Sequence, residues 1–181
     1  MAGPTTEACL HEIESRVRAI ADYPRPGVVF RDLSPLLADP QGLALCIDAL
    51  AEPWRHARLD AVCGIESRGF IFGAAIAHEL GCGFVPLRKA GKLPPPTYGV
   101  DYELEYGIAR LEIAKQALPV GARVLVVDDV LATGGTLEAA RSLLEQVQAD
   151  VVGGAVVVEI EPLAGRARWQ GTSPLRALVR Y

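Results

Sequence analysis

Apolar and polar residues alternate along the chain in blocks that predict strands followed by helices. Short apolar runs of the kind found in buried strands lie at residues 61–65, 84–87, 124–127, 151–159 and 175–180. Apolar residues recur at helical spacing at residues 5–20, 41–59, 67–80 and 136–147. This repeated alternation is typical of an α/β domain with a mostly parallel central sheet flanked by helices.

Three stretches do not follow the strand–helix pattern. Residues 23–35 contain prolines that favour an extended, irregular path into a short strand. Residues 88–99 carry three cations ahead of a proline run and lack periodicity, which indicates a long loop. Residues 102–107 and 109–114 alternate as two strands around Gly107 and predict a hairpin, with Glu103 and Glu112 facing solvent. We therefore predict a single domain over residues 1–181, with a small N-terminal hood (1–35) and a flexible lid segment (88–114).

The apolar run at 124–127 ends abruptly in two acids and a Gly/Thr loop. Gly134 and Gly135 allow consecutive backbone N–H groups to converge, and Thr133 and Thr136 add hydroxyls near the positive end of the following helix. This combination predicts a nest for a phosphate monoester at the carboxyl end of the sheet. The preceding acids would repel a phosphate, so they are better suited to accept hydrogen bonds from vicinal hydroxyls. The implied ligand is a ribose 5-phosphate.

Other phosphate motifs fit this loop less well. A Walker A loop requires a lysine, which the loop lacks, and the Rossmann fingerprint places its acid downstream of the glycines. A purely structural alternative is a turn of small residues in which Asp128 and Asp129 cap the helix.

A second strand-to-helix turn, at residues 64–69, presents another candidate anion site. Arg68 offers bidentate contact to phosphate oxygens beside the start of a helix. The cations Arg88, Lys89 and Lys92 begin the lid segment and also suit an anion. The structural alternative for Arg68 is an arginine near the start of an exposed helix. For Lys89 and Lys92 it is a solvated run of charges.

Composition narrows the possible partners. The 181 residues carry 18 basic and 22 acidic side chains, a net charge of −4, and no basic cluster that would favour nucleic acid. The four cysteines (Cys9, Cys46, Cys63 and Cys82) are widely separated without histidines at ligand spacing, which favours reduced thiols over a metal site. Neither a signal peptide nor an apolar run of membrane-spanning length is present, so we expect a cytoplasmic protein without membrane contact.

The stretch at 124–136 resembles the phosphoribosyl-pyrophosphate (PRPP) signature of the type I phosphoribosyltransferases. Three more segments, in the order of that family, resemble its adenine-specific members: Pro-Gly-Val-Val-Phe-Arg-Asp at 26–32, Gly-Ile-Glu-Ser-Arg-Gly at 64–69 and Leu-Glu-Tyr-Gly at 104–107. The resemblance covers nearly the whole chain. It implies purine salvage, in which a 5-phosphoribosyl group passes from PRPP to adenine and gives AMP and pyrophosphate. It also implies Mg²⁺ held mainly by the substrate, with no direct protein ligand, and a homodimer.

The resemblance also implies roles for individual residues. Val29, Phe30 and Arg31 would bind adenine, and Glu105 would stand near its reacting nitrogen. Asp128 and Asp129 would orient the ribose, while the 5-phosphate would be held by Ala132, Thr133, Gly134, Gly135 and Thr136. Ser67 would contact the PRPP, and the charge of the pyrophosphate would be balanced by Arg68, Arg88, Lys89 and Lys92. The family further suggests a cis peptide bond between Glu66 and Ser67.

Two other classes remain open at this point. One is an enzyme of the same fold acting on another purine base, against which the segment around Val29 and Arg31 argues. The other is a non-catalytic PRPP-sensing regulator, which would be expected to show an added DNA-binding domain or a basic face. The run from Pro94 to Pro96 is richer in proline than the family pattern and bears on lid stiffness.

Overall fold

The computed structural model describes residues 6–104 and 107–181 and shows the predicted α/β class. The strands are β1 (Arg18–Ala21), β2 (Val29–Asp32), β3 (Ala61–Ile65), β4 (Gly83–Lys89), β5 (Thr97–Leu104), β6 (Gly107–Ala114), β7 (Arg123–Leu131), β8 (Asp150–Glu159) and β9 (Leu175–Arg180). The α-helices are α1 (Glu7–Ser15), α2 (Ser34–Ala38), α3 (Pro40–Ala51), α4 (Gly69–Leu80) and α5 (Gly135–Gln146). Short 3-10 turns cover Glu52–Trp54, Glu161–Leu163 and Gly165–Arg168.

Within the described residues, seven strands form the main sheet in the order β5-β6-β4-β3-β7-β8-β9. Strands β4, β3, β7, β8 and β9 run parallel to one another, whereas β6 is antiparallel to both β4 and β5. The β6–β4 pairing is short and joins Arg88 to Glu112 and Lys89 to Leu111. The lid hairpin therefore extends the sheet from the two cations that begin the lid segment.

The sheet is buried on both faces, which explains the continuous apolar runs of its parallel strands. Val62, Leu125 and Val127 pack on one face against α1, α3 and α4. Val124 and Val126 point to the opposite face and pack against α5 and the lid hairpin. Each such side chain removed from water contributes about 1.5–3 kcal/mol. These two apolar layers fix the carboxyl ends of β3, β4 and β7 next to one another.

The predicted helix at 5–20 is too long. Helix α1 begins after Thr6, whose hydroxyl accepts a hydrogen bond from the Cys9 amide, and it ends at Ser15. Residues 18–21 instead form β1, which pairs with β2 in a separate two-stranded sheet. Val17 and Ile20 fit a helical period, but pairing of Ile20 with Phe30 overrides that local preference.

Two other helix predictions also needed shorter bounds. The helix expected over 41–59 ends at Ala51, because Pro53 cannot continue it, and a 3-10 turn brings Trp54 into the core. The helix expected over 67–80 begins at Gly69, because Ser67 and Arg68 belong to the preceding turn. In the described part of the chain, no helix has the length and apolar character needed to cross a bilayer.

Candidate functional site

The Gly/Thr loop forms a small concave site between β7 and α5. Gly134 adopts a left-handed conformation with φ of +84°, which permits the chain to turn directly into the first helical residue, Gly135. No side chain caps this helix, so the acids are not the caps that the structural alternative required. A cavity of about 60 Å³ opens here, lined by Asp128, Val130, Leu131, Ala132, Thr133, Gly134, Thr136 and Leu137. The helix end and the loop amides suit a phosphate.

The acid pair lies inside strand β7 and not in the loop that follows it. Asp128 pairs with Val156 of β8, and the strand continues to Leu131. Both acids are buried, with 8% of Asp128 and 7% of Asp129 exposed. The Asp129 amide donates to Asp128 Oδ1 at 2.9 Å. Burial, followed by the neighbouring Asp129 charge, raises the pKa of Asp128 well above its ordinary value.

Arg68 connects the acid pair to the hood. Its Nε lies 2.7 Å from Asp129 Oδ2, and its guanidinium carbon lies 5.7 Å from the centre of the Phe30 ring. The peptide bond between Glu66 and Ser67 is cis, as predicted. Three segments that are far apart in sequence therefore meet at one edge of the sheet.

Glu66 holds the cations at the end of β4 in place. Its Oε2 accepts hydrogen bonds from Arg88 Nε and from the Lys89 amide, both at 3.1 Å. Arg88 Nη1 also donates to the Lys92 carbonyl at 3.1 Å. Burial alone would raise the pKa of Glu66, but the Lys89 amide and the Arg88 guanidinium hold it below its ordinary value. The sequence did not single out Glu66, because a carboxylate in a candidate anion loop has no obvious use there.

The prediction that Glu112 faces solvent is wrong. Its side chain is 13% exposed, and its Oε2 accepts a hydrogen bond from the Gly91 amide at 3.1 Å. Its Oε1 lies 3.5 Å from Arg110 Nε. The register that places Glu112 beside Arg88 aims it at the turn after β4, a long-range arrangement that alternation within one strand does not reveal.

The predicted base-binding segment forms β2 at the open side of this site. Val29 is 50% exposed, and Phe30 packs edge to face against Tyr23 with ring centres 5.2 Å apart. The Arg31 guanidinium carbon lies 3.5 Å from the centre of the Tyr181 ring. Tyr181 could not be assigned this contact from the sequence, since 150 positions separate it from Arg31. Glu105 lies outside the described residues, so its place near the reacting nitrogen stays a prediction.

A larger cavity, of about 430 Å³, lies between the lid hairpin and α5. Its lining includes Tyr102, Ile108, Glu138 and Arg168. It contains neither the acid pair nor Arg68, so we assign the chemistry to the smaller site. Across residues 6–104 and 107–181, no group of three or more His, Cys, Asp or Glu side chains is arranged to hold a metal ion.

Comparison with known proteins shows which family the chain resembles. Residues 33–174 match the model of the phosphoribosyl transferase domain. An adenine phosphoribosyltransferase of Xanthomonas euvesicatoria pv. vesicatoria is 55% identical over 180 residues, which cover 99% of this chain and 96% of the relative.

Two solved structures have the same fold. Adenine phosphoribosyltransferase from Rhodothermus marinus superposes with a TM-score of 0.92 and 43% identity, covering 97% of this chain and all of that one. The Saccharomyces cerevisiae enzyme, crystallised with adenine and an imino-altritol bisphosphate, superposes with a TM-score of 0.90 and 38% identity, covering 96% of this chain and 99% of that one.

Proposed function

The chain belongs to the phosphoribosyltransferase family, among its adenine phosphoribosyltransferases, and from this premise we propose how its site performs purine salvage. The reaction transfers the 5-phosphoribosyl group of PRPP to adenine and yields AMP and pyrophosphate. The observation that carries the site assignment is the Arg68–Asp129 pair, because it lies between the phosphate loop and Phe30. The phosphoribosyl group and the pyrophosphate of PRPP, together with adenine, can therefore bind in one continuous site.

The loop of residues 132–136 binds the 5-phosphate through its amides and through the Thr133 and Thr136 hydroxyls. Asp128 and Asp129 accept hydrogen bonds from the ribose hydroxyls beside it. Arg68 forms an ion pair with Asp129. When PRPP binds, the ribose hydroxyls donate hydrogen bonds to Asp129 in place of Arg68. The Arg68 guanidinium then contacts the pyrophosphate.

Pyrophosphate binds on the other side of the ribose. Ser67 and Arg68 contact it from the cis-peptide turn, and Arg88, Lys89 and Lys92 contact it from the base of the lid. These cations balance the charge that grows on the leaving group as the bond from C1 to the pyrophosphate oxygen breaks. Positioning of the ribose between fixed groups supplies much of the remaining rate enhancement.

Adenine binds against the β2 segment, with Val29 contacting it through the backbone and Arg31 through its side chain, beside Phe30. Its N9 attacks C1 as pyrophosphate departs, and N9 then loses its proton. Glu105 serves as the acceptor or as the charge that stabilises the ring during this loss. The lid, residues 88–114, covers the site and keeps water from the oxocarbenium-like centre.

Mg²⁺ is the cofactor that this chemistry requires. Asp129 Oδ2 is paired with Arg68, and Asp128 is deeply buried, so these acids fit ribose binding better than direct metal ligation. We therefore place Mg²⁺ on the oxygens of the substrate, where it would neutralise pyrophosphate charge. We also propose that the protein acts in the cytoplasm as a homodimer, in keeping with its four free cysteines and with its family.

The test is product formation from PRPP and Mg²⁺ with adenine, hypoxanthine, guanine, xanthine and orotate in parallel, with a no-base control. AMP from adenine alone is the expected result. Product from another base alone would overturn the roles of Val29 and Arg31 but keep the PRPP site. PRPP binding without any product would instead favour the sensor alternative.

A further inference from the structure

A short turn that follows β8 lies directly against the phosphate loop. Gly165 begins this 3-10 turn, Gly165–Arg168. A Cβ atom at Gly165 would collide with the Ala132 carbonyl and would lie 2.8 Å from the Gly134 amide nitrogen. A Cβ at Gly134 would in turn lie 2.9 Å from the carbonyl carbon of Gly165. The two backbones are thus in contact without any side chain between them.

The turn is itself fixed to the sheet through Arg166. The Arg166 guanidinium binds Glu159 with two hydrogen bonds, Nε to Oε1 at 2.9 Å and Nη2 to Oε2 at 2.5 Å, and its Nη1 donates to the Leu175 carbonyl at 2.7 Å. Glu159 is 5% exposed, and the hydrogen bonds from Arg166 hold its pKa below the ordinary value. A paired guanidinium and carboxylate with this geometry define position as well as charge.

Further contacts join the same segment to both ends of the phosphate loop. The Ile160 amide donates to the Leu131 carbonyl at 2.9 Å, where β7 ends. Arg168 Nη1 lies 3.3 Å from Glu138 Oε2, in the first turn of α5. The loop is therefore backed along its length by residues 160–168.

We propose that Gly165 and Arg166 are positioning residues for the 5-phosphate, and this inference rests on the proposed function of the loop. A loop with two adjacent glycines has many accessible conformations, and ordering it on binding costs free energy. The Gly165 backbone fills the space behind Ala132 and Gly134, and the bond from Arg166 to Glu159 keeps it there. The amides of the loop are thereby held in their binding directions before the ligand arrives.

The first test is Gly165→Ala, with Gly83→Ala as its matched control. Gly165 does not have a positive φ, so alanine is compatible with its own backbone and the new methyl group acts through its collision with the loop. At Gly83, a Cβ would come no closer than 3.3 Å to the Asp60 carbonyl, at the amino end of β4.

Binding of ribose 5-phosphate and of Mg²⁺-pyrophosphate is measured separately by calorimetry. We expect Gly165→Ala to lower the affinity for ribose 5-phosphate by on the order of tenfold or more, because small misplacements of binding groups are costly. The affinity for pyrophosphate, which binds to Arg68 and the β4 cations, should stay within about twofold of the wild-type value. Gly83→Ala should match the wild type for both ligands.

The second test removes the anchor without touching the loop. Arg166→Gln and Arg180→Gln each take one cation from Glu159, since Arg180 Nε also lies 3.4 Å from Glu159 Oε2. Only Arg166 belongs to the turn. We expect Arg166→Gln to weaken ribose 5-phosphate selectively, and Arg180→Gln to leave it unchanged even where both variants lower the unfolding temperature.

Two results would overturn the inference. Ribose 5-phosphate affinity equal to wild type in both Gly165→Ala and Arg166→Gln, when folded, would show that the turn does not position the loop. An equal loss of ribose 5-phosphate and pyrophosphate affinity would show a general defect. If the wild-type protein binds pyrophosphate but not ribose 5-phosphate, the assignment of the loop fails first, and the inference fails with it.

Discussion

Asp128 and Asp129 are adjacent on one strand, yet they have different surroundings. Asp129 faces Arg68, whereas Asp128 accepts a hydrogen bond from the amide of its neighbour. Burial and the nearby charge favour the protonated form of Asp128. The two neighbouring acids therefore have different partners, Arg68 for Asp129 and a backbone amide for Asp128.

Asp129→Asn should lower kcat/KM on the order of a hundredfold, because it removes a charged acceptor from the ribose site. The fold should survive, since Arg68 is 38% exposed and can be solvated without its partner. Steady-state kinetics and thermal unfolding check both parts. Asp101→Asn is the control, because that exposed acid pairs with Arg110 in the lid hairpin. Unchanged kcat/KM in Asp129→Asn would remove this residue from the site.

Asp128→Asn should change the pH dependence of stability. A carboxyl group whose native pKa is raised favours folding when protonated, so its contribution is lost as pH rises from the ordinary 3.8 through the native value. The variant should lack this loss and be more stable than wild type at neutral pH. Urea unfolding between pH 4 and 8 measures the difference, and equal slopes in both proteins would contradict it.

The pKa of Asp32 is shifted in the opposite direction to that of Asp128. Hydrogen bonds from the Ser34 side chain and amide, together with Arg18, lower its pKa to about 2. Its contribution to stability is therefore present above the ordinary 3.8 and is lost as pH falls through about 2. Asp32→Asn should destabilise the protein at neutral pH, in contrast to Asp128→Asn, and the same unfolding series detects this.

At the scale of elements, the base of the lid is held by two carboxylates. Glu66 binds Arg88 and the Lys89 amide from one side, and Glu112 binds the Gly91 amide from the other. The turn after β4 is therefore attached both to the cis-peptide turn and to β6. This attachment fixes the positions of Arg88 and Lys89, for which we propose contact with pyrophosphate.

Glu66→Gln should raise the KM for PRPP about three- to tenfold, because a neutral amide still accepts from Lys89 but attracts Arg88 less. Ribose 5-phosphate affinity should be unchanged. Glu79→Gln, which breaks the partly exposed pair with Arg55 at the carboxyl end of α4, is the control. Equal KM values in wild type and Glu66→Gln would contradict this role.

Elements could be predicted where local pattern and tertiary packing agree. The runs at 61–65 and 175–180 have the bounds of β3 and β9, because apolar residues there are buried by the sheet itself. The helix ends were less predictable. Pro53 stops α3, and the pairing of Ile20 with Phe30 replaces the end of the first helix with a strand.

At the scale of the whole molecule, the sequence could indicate which residues carry the chemistry but not what supports them. The loop glycines and the acids are visible in a single segment, and Arg68 stands in another. The residues that contact the predicted site residues come from far along the chain. Arg31 lies over the Tyr181 ring, and Gly165 lies against the phosphate loop. Such contacts depend on the order of strands in the sheet, which periodicity does not encode.

We propose that one site holds phosphate, ribose and base in a defined order along the edge of the sheet. A crystal structure with AMP and pyrophosphate tests this most directly. We expect the 5-phosphate on the amides of residues 133–136, the ribose hydroxyls on Asp128 and Asp129, and adenine beside Val29 and Phe30. A 5-phosphate bound instead at Arg68 and Arg88, or a base outside the β2 segment, would contradict this order.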